Sequence, residues 1–135
     1  MKKMTGSCLC GQVRYSAEVE PMFTAVCHCR NCQKQAGTAF TIVVAIPKTA
    51  LTVTGRLKTF HDTGGSGNPV YRHFCPDCGS PVVSDVAMMP DITFIKAGTL
   101  DDTEWLSPTM ELFCASAQPW VGLSGEMQRF PGMPN

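Results

Sequence analysis

The alternation of apolar and polar positions along the chain predicts short β-strands. Between residues 12 and 19 every second position is apolar, so one face of an extended segment carries Val13, Tyr15, Ala17 and Val19. The segment 39–46 is almost continuous in apolar and β-branched residues and stops at Pro47, which also favours a strand. Further runs of strand character cover residues 51–54, 57–61, 70–74, 81–84, 92–96 and 110–113. These runs predict a mainly β fold with many short strands.

Turn signals separate the strand-like runs, and helical signals are few. Gly55 and Arg56 stand between two of the runs and predict a tight hairpin that joins 51–54 to 57–61. The Gly- and Ser-rich segment 64–67 predicts a loop. One short helix is predicted over residues 29–36, because Gly37 occupies the usual position for a helix end. The sequence therefore predicts little helix.

The length and charge of the chain narrow the function classes. The 135 residues fit one domain, and the apolar fraction of 44% is enough for an ordinary core. Lys and Arg together number 11, as do Asp and Glu. A sequence-independent nucleic-acid binder needs an excess of cationic side chains to displace the counterions of the phosphates. We therefore expect no nucleic-acid partner.

The first residues of the chain carry two lysines, but no apolar stretch follows them. No signal peptide and no membrane span are predicted, so we expect a cytoplasmic protein without a membrane partner. Thiols stay reduced in the cytoplasm, which disfavours disulfides. The eight cysteines of the chain therefore need another explanation, and metal binding supplies one.

Seven of the eight cysteines fall in three tight groups. These are Cys8 with Cys10, then Cys27 with Cys29 and Cys32, and then Cys75 with Cys78. The third group is typical of a zinc knuckle, since two residues separate its cysteines and Gly79 permits the turn that follows. In the first group the two side chains point the same way on an extended segment. We predict that these two pairs supply the four thiolates of a tetrahedral structural zinc site.

The middle group supplies three more thiolates. Cys27 and Cys29 share one face of an extended segment, which turns His28 away from their metal, and Cys29 and Cys32 have knuckle spacing. Three protein ligands with an open fourth position are typical of catalytic zinc. We therefore predict a second zinc on these three cysteines, which makes two zinc ions per chain.

The spacing leaves other arrangements open. The N-terminal pair could share an ion with Cys27 and Cys29 instead, and the group of three could form a closed structural site completed by His28 or Cys114. An iron–sulfur cluster is a further alternative, although the spacings are more typical of zinc knuckles.

Polar side chains flank the middle cysteine group. Arg30 and Lys34 lie beside it in sequence, where they could bind the carboxylates of a substrate, and Gln33 could form a hydrogen bond nearby. The alternative interpretation is that both cations are solvated surface charges.

Three motifs occur in order along the chain. They read GSCLCGQVRY at 6–15, CHCRNCQK at 27–34 and FCPDCGS at 74–80, and a late segment contains Pro108, Trp120 and Val121. Together they resemble the glutathione-dependent formaldehyde-activating enzyme family, which also includes centromere protein V. The resemblance implies an Mss4-like fold of short antiparallel strands. It also implies a single zinc-binding domain over residues 1–130 and an irregular tail at 131–135.

The resemblance also implies a set of site residues. It implies a structural zinc on the cysteines of the first and third motifs, namely Cys8, Cys10, Cys75 and Cys78. It implies a second, more labile zinc at the catalytic site on Cys27, Cys29 and Cys32.

The reaction that gives the family its name joins glutathione to formaldehyde and forms S-hydroxymethylglutathione. The resemblance therefore implies a zinc-dependent enzyme of the carbon–sulfur lyase type, with a small thiol such as glutathione and an aldehyde as its partners. The alternative is a zinc-stabilised binding or scaffold module without catalysis, as the centromere relative suggests.

Overall fold

Two β-sheets form the described part of the chain, which comprises residues 1–123 and 125–134 of a computed structural model. The strands are β1 (Lys3–Ser7), β2 (Arg14–Glu18), β3 (Phe23–Cys27), β4 (Thr41–Pro47), β5 (Leu51–Thr54), β6 (Lys58–Thr63), β7 (Pro69–Phe74), β8 (Pro81–Val86), β9 (Ile92–Lys96), β10 (Met110–Leu112) and β11 (Gln128–Arg129). The small sheet has the order β1-β2-β5. The large sheet has the order β11-β10-β3-β4-β9-β8-β7-β6.

The mainly β fold predicted from the sequence is confirmed. Most neighbouring strands are antiparallel, and β10 runs parallel to both β3 and β11. Each of the predicted runs is a strand, with ends that shift by a few residues. The strands β1, β3 and β11 were not predicted. In β1 the alternation is hard to see in the sequence, because Gly6 occupies one of its inward positions.

The large sheet is buried on both faces, which explains the continuous apolar run in β4. Val44 and Ile46 point to a core shared with the small sheet, whereas Val43 and Ala45 point to a second core on the opposite face. A strand covered on both sides loses the alternation of apolar and polar residues. The second core contains the middle cysteine group, Cys27, Cys29 and Cys32.

The predicted hairpin at Gly55 and Arg56 is wrong. The strand before these residues pairs with β2 in the small sheet, and the strand after them pairs with β7 in the large sheet. Gly55 adopts a φ of 94°. The side-chain amide of Gln12 donates to the backbone carbonyl of Arg56 and accepts from the backbone N–H of the same residue. The two residues therefore carry the chain from one sheet to the other.

The predicted helix is present as α1 (Arg30–Ala36). Cys29 is its N-cap, since its sulfur accepts a hydrogen bond from the backbone N–H of Cys32. Gly37 ends the helix with a φ of 69°, and its N–H donates to the carbonyl of Gln33. None of the helices in the described residues is long and apolar enough to cross a membrane.

The segment after β11 has no regular secondary structure but is held in place by backbone hydrogen bonds. The backbone N–H groups of Phe113, Cys114 and Ala115 donate to carbonyls at positions 130–132. Of the predicted tail at 131–135, residues 131–134 follow this path, and Asn135 lies outside the described residues. The domain boundary at residue 130 stays a prediction.

Substituting Gly55→Ala should destabilise the fold strongly. A Cβ at this position would lie 2.1 Å from the backbone oxygen of Gln12, and the positive φ disfavours any side chain. We expect a loss of about 2–3 kcal/mol in the free energy of unfolding, measured by urea denaturation. The control is Gly98→Ala, because no atom lies within 4 Å of that Cβ. Equal stability of the two variants would contradict the role assigned to Gly55.

Candidate metal centres and the adjoining cavity

Four cysteines from distant parts of the chain meet between the two sheets. Cys8 and Cys10 lie in the loop between β1 and β2, and Cys75 and Cys78 lie in the turn between β7 and β8. Their sulfurs all lie within 4.8 Å of one another. The Sγ atoms of Cys8 and Cys10 are 3.6 Å apart, and those of Cys10 and Cys75 are 3.8 Å apart. Sulfurs at about 2.3 Å from a tetrahedral zinc lie about 3.8 Å from each other, so the cluster fits this ion.

Hydrogen-bond donors surround these sulfurs. The backbone N–H of Val13 donates to Sγ of Cys8 over 3.3 Å, and the side-chain amide of Gln12 donates to Sγ of Cys75 over 3.2 Å. The hydroxyl of Ser80 lies 3.2 Å from Sγ of Cys78, and this hydrogen bond, together with backbone hydrogen bonds at Ser80 and Cys10, lowers the pKa of Cys78 to about 5. Donors that favour thiolate over thiol are what a zinc–cysteine site requires.

The three cysteines of the middle group form a second cluster. Their sulfurs lie within 4.8 Å of one another, and all three side chains are buried. Cys27 is the last residue of β3, while Cys29 and Cys32 lie at the start of α1. Hydrogen bonds from the Cys27 and Cys29 thiols lower the pKa of Cys32, and the charges of Lys96 and Arg72 act in the same direction. The three sulfurs are close enough to one another to share one metal ion.

The residues considered as a fourth ligand for this cluster lie elsewhere. His28 is buried and places Nε2 at 2.8 Å from Oε1 of Glu111. Cys114 is half-buried, and its thiol donates to the carbonyl of Glu111 over 3.6 Å. The two residues form a separate group with Glu111. Within the described residues, the middle cysteine group therefore has no fourth protein ligand on one side.

That free side opens into a cavity of about 260 Å³ on the second face of the large sheet. Strands β4, β7, β8 and β9 supply its floor, and the predicted loop at 64–67 lies at its edge. Apolar side chains dominate the wall. They are Val43, Val70, Val86, Met88, Met89, Phe94, Leu112, Phe113, Met133 and Pro134.

Two buried cations lie beside the three sulfurs and were missed by the sequence analysis. Arg72 donates from Nε to Oδ2 of Asp62 over 2.8 Å and from Nη1 to Sγ of Cys32 over 3.6 Å. Lys96 is 6% exposed and lines the cavity. Burial lowers the pKa of Lys96, and the charge of Cys32 opposes this shift.

The alternation of the strands contained a signal for both cations. Arg72 lies two positions from Val70, and Lys96 lies two positions from Phe94, so each cation shares a face with an apolar residue. A charged residue on the apolar face of a strand is unusual, since burying a charge is costly unless something compensates it.

The polar residues predicted to bind substrate lie outside the cavity wall. Arg30 and Lys34 are exposed on α1, and Arg30 donates to the side-chain oxygen of Gln33 over 2.6 Å. Gln33 is buried and donates to the carbonyls of His28 and Ser116. A role for these three residues in substrate binding stays a prediction.

The fold and the two clusters define a mainly β protein with two cysteine groups that can hold metal ions. The sequence profile of the family "Glutathione-dependent formaldehyde-activating enzyme" matches residues 3–116. The chain belongs to this family, as the three cysteine motifs suggested.

Individual relatives are distant. A Phaeosphaeria nodorum protein named for the same family is 29% identical over 94 residues, which are 67% of this chain and 48% of that protein. A similarly named Aspergillus flavus protein is 24% identical over 114 residues, which are 81% of this chain and 59% of that protein. The chain thus spans about half the length of these relatives.

A solved structure shares the fold. The crystal structure of a Rhodobacter sphaeroides protein matches with a TM-score of 0.59 and 22% sequence identity, and the match covers 78% of this chain and 92% of that one. At this identity the likeness supports the fold alone.

Replacing Cys75 by Ser should cost the protein one zinc and its folded state. The four-cysteine cluster joins the two sheets, and zinc binding in small metal domains contributes about 10–16 kcal/mol to folding. We expect circular dichroism and metal analysis to show unfolding and zinc loss together. Cys114→Ser is the control and should keep both zinc ions. A folded, zinc-poor Cys75→Ser protein would contradict the structural role of the cluster.

Replacing Cys32 by Ser should remove a zinc without unfolding the chain. Its cluster lies at a cavity and has three protein ligands, so the sheets remain joined by the other cysteines. We expect metal analysis to fall from two zinc ions per chain to one, with a loss of about 1–3 kcal/mol in chemical denaturation because Arg72 loses the sulfur it contacts. A variant that keeps two zinc ions would show that Cys32 is not a ligand.

Proposed function

We propose that this protein is a zinc-dependent enzyme of the carbon–sulfur lyase type that makes or cleaves a small thiol–aldehyde adduct. One observation carries the proposal: the three sulfurs of the middle group line an apolar cavity and have no fourth protein ligand among the described residues. Family membership supports formaldehyde as the aldehyde and a glutathione-like thiol as its partner. A cytoplasmic location remains part of the proposal.

Zinc bound by Cys27, Cys29 and Cys32 would supply an open coordination position that binds a thiol as thiolate and lowers its pKa. The four-cysteine cluster has no such opening, because its sulfurs already complete a tetrahedron. We therefore assign the chemistry to the cavity and a structural role to the other centre.

The side chains around the cavity suit a reaction of an anion. Lys96 and Arg72 bring two positive charges next to the sulfurs, and Asp62 neutralises part of this charge through its ion pair with Arg72. Positive charge at a buried site favours a substrate thiolate over its thiol. The apolar wall excludes water from the reacting atoms and strengthens these electrostatic interactions.

The proposed reaction is balanced without an oxidant or a reductant. The thiol sulfur forms a bond to the carbonyl carbon, the C=O double bond becomes a single bond, and the proton lost from sulfur ends on oxygen. The reverse reaction breaks the carbon–sulfur bond and returns the same proton. Since this addition also occurs spontaneously, catalysis requires a rate above that background.

A direct test measures exchange between free and thiol-bound formaldehyde by magnetisation-transfer NMR. Glutathione and, in parallel, a small uncharged thiol should each be assayed with and without the zinc-loaded protein. We expect at least one thiol to exchange faster with the protein than without it. Cys32→Ser should return the rate to background, because the open site is lost, whereas Cys114→Ser should keep the acceleration.

Background rates for every thiol would contradict an enzyme of this type. A fully zinc-loaded, folded protein with such rates would favour the alternative of a binding or scaffold module. The zinc content and the circular dichroism spectrum of the same sample exclude a misfolded preparation.

A further inference from the structure

Lys96 is a buried ammonium group that lacks a polar partner within the described residues. Its side chain is 6% exposed and lines the cavity, whereas the neighbouring cation Arg72 is held by Asp62 and Cys32. Lys96 shares one face of β9 with Phe94 and lies opposite Val43 of β4. A buried cation that lines a cavity is suited to bind an oxygen of a ligand.

The rest of the cavity offers little to a polar ligand. Apart from the sulfurs and the two cations, its polar side chains are Ser66 and Ser84, and the remaining wall is apolar except for Gly64 and Gly65. Ser66 is exposed at the edge, whereas Ser84 is buried in β8. A ligand with several charged or amide groups would therefore lose hydrogen bonds to water without replacing them.

Glutathione fits this cavity poorly for a reason of geometry. One methylene group joins its thiol to a carbon that lies between two peptide groups. The chain on each side of this carbon ends in a carboxylate. A thiol sulfur at the three cysteines places both peptide groups within a few bonds of the apolar side chains that line the same cavity.

We infer that the substrate is the hydroxyalkyl adduct of a compact, apolar thiol rather than of glutathione, with Lys96 as the side chain that binds the adduct's oxygen. This inference rests on the proposed function. The sulfur lies at the middle cysteine group, the oxygen lies two bonds away and accepts a hydrogen bond from Nζ of Lys96, and the carbon skeleton lies along the apolar wall. The oxygen is present in the adduct and absent from the thiol, so Lys96 discriminates between these two ligands.

The ligand class is tested by calorimetric titration of the zinc-loaded protein without aldehyde. The probes are glutathione and methyl 3-mercaptopropanoate, a small uncharged thiol of similar acidity. We expect the uncharged thiol to bind at least about 10-fold more tightly, since it leaves fewer buried polar groups unpaired. Met89→Ala shortens the wall and should reduce this preference severalfold. Met22→Ala, which changes an exposed methionine away from the cavity, should not.

The role of Lys96 is tested by repeating the titration with formaldehyde present. We expect formaldehyde to tighten binding of the uncharged thiol to the unaltered protein and to Lys3→Met, which changes an exposed lysine on the small sheet. Lys96→Met should bind the thiol itself more weakly, because one positive charge beside the thiolate is lost, and formaldehyde should no longer tighten its binding. Because methionine removes the charge and keeps an apolar chain of similar length, the variant should fold, which its zinc content checks.

Two results would overturn the inference. One is glutathione binding as tightly as the uncharged thiol, and the other is a Lys96→Met variant that still binds more tightly with formaldehyde. The exchange assay separates this failure from that of the proposed function. If the protein accelerates exchange but glutathione is the tighter ligand, only the ligand class is refuted. If the uncharged thiol binds more tightly but exchange is not accelerated, only the catalytic function is refuted.

Discussion

The four sulfurs between the sheets are the constraint on which the structure depends. Cys8 and Cys10 hold the small sheet, and Cys75 and Cys78 hold the turn of β7 and β8 in the large one. Structural zinc contributes about 10–16 kcal/mol to folding in small domains, which matches or exceeds the whole stability of a typical domain, about 5–15 kcal/mol. A metal ion held by these four sulfurs would therefore fix the relation of the two sheets. The small sheet covers one face of the large one.

With that face covered, the proposed reactive site lies on the opposite face of the large sheet. The strands place Val43, Phe94 and Lys96 on this face, and α1 brings Cys29 and Cys32 over it. Two buried cations next to three sulfurs would be costly in a structure without ligands. Their positions become favourable once thiolates and a bound anion compensate the charge, which connects the fold to the proposed chemistry.

Much of this architecture could be predicted from local sequence. Alternation revealed most strands, and cysteine spacing with Gly79 revealed the two clusters that the structure brings together. Long-range pairing could not be predicted. The chain passes from one sheet to the other at Gly55, beside Gln12, which is close in space but distant in sequence. Strand alternation places Arg72 and Lys96 on apolar faces, but their nearness to the cysteines depends on the order of strands in the sheet and could not be predicted.

Anomalous diffraction at the zinc absorption edge, from crystals of reduced protein grown without added metal, tests the central claim most directly. The account predicts two peaks per chain, one enclosed by Cys8, Cys10, Cys75 and Cys78 and one on Cys27, Cys29 and Cys32 at the floor of the cavity. An intact two-sheet fold with no anomalous peak between the four sulfurs would contradict it.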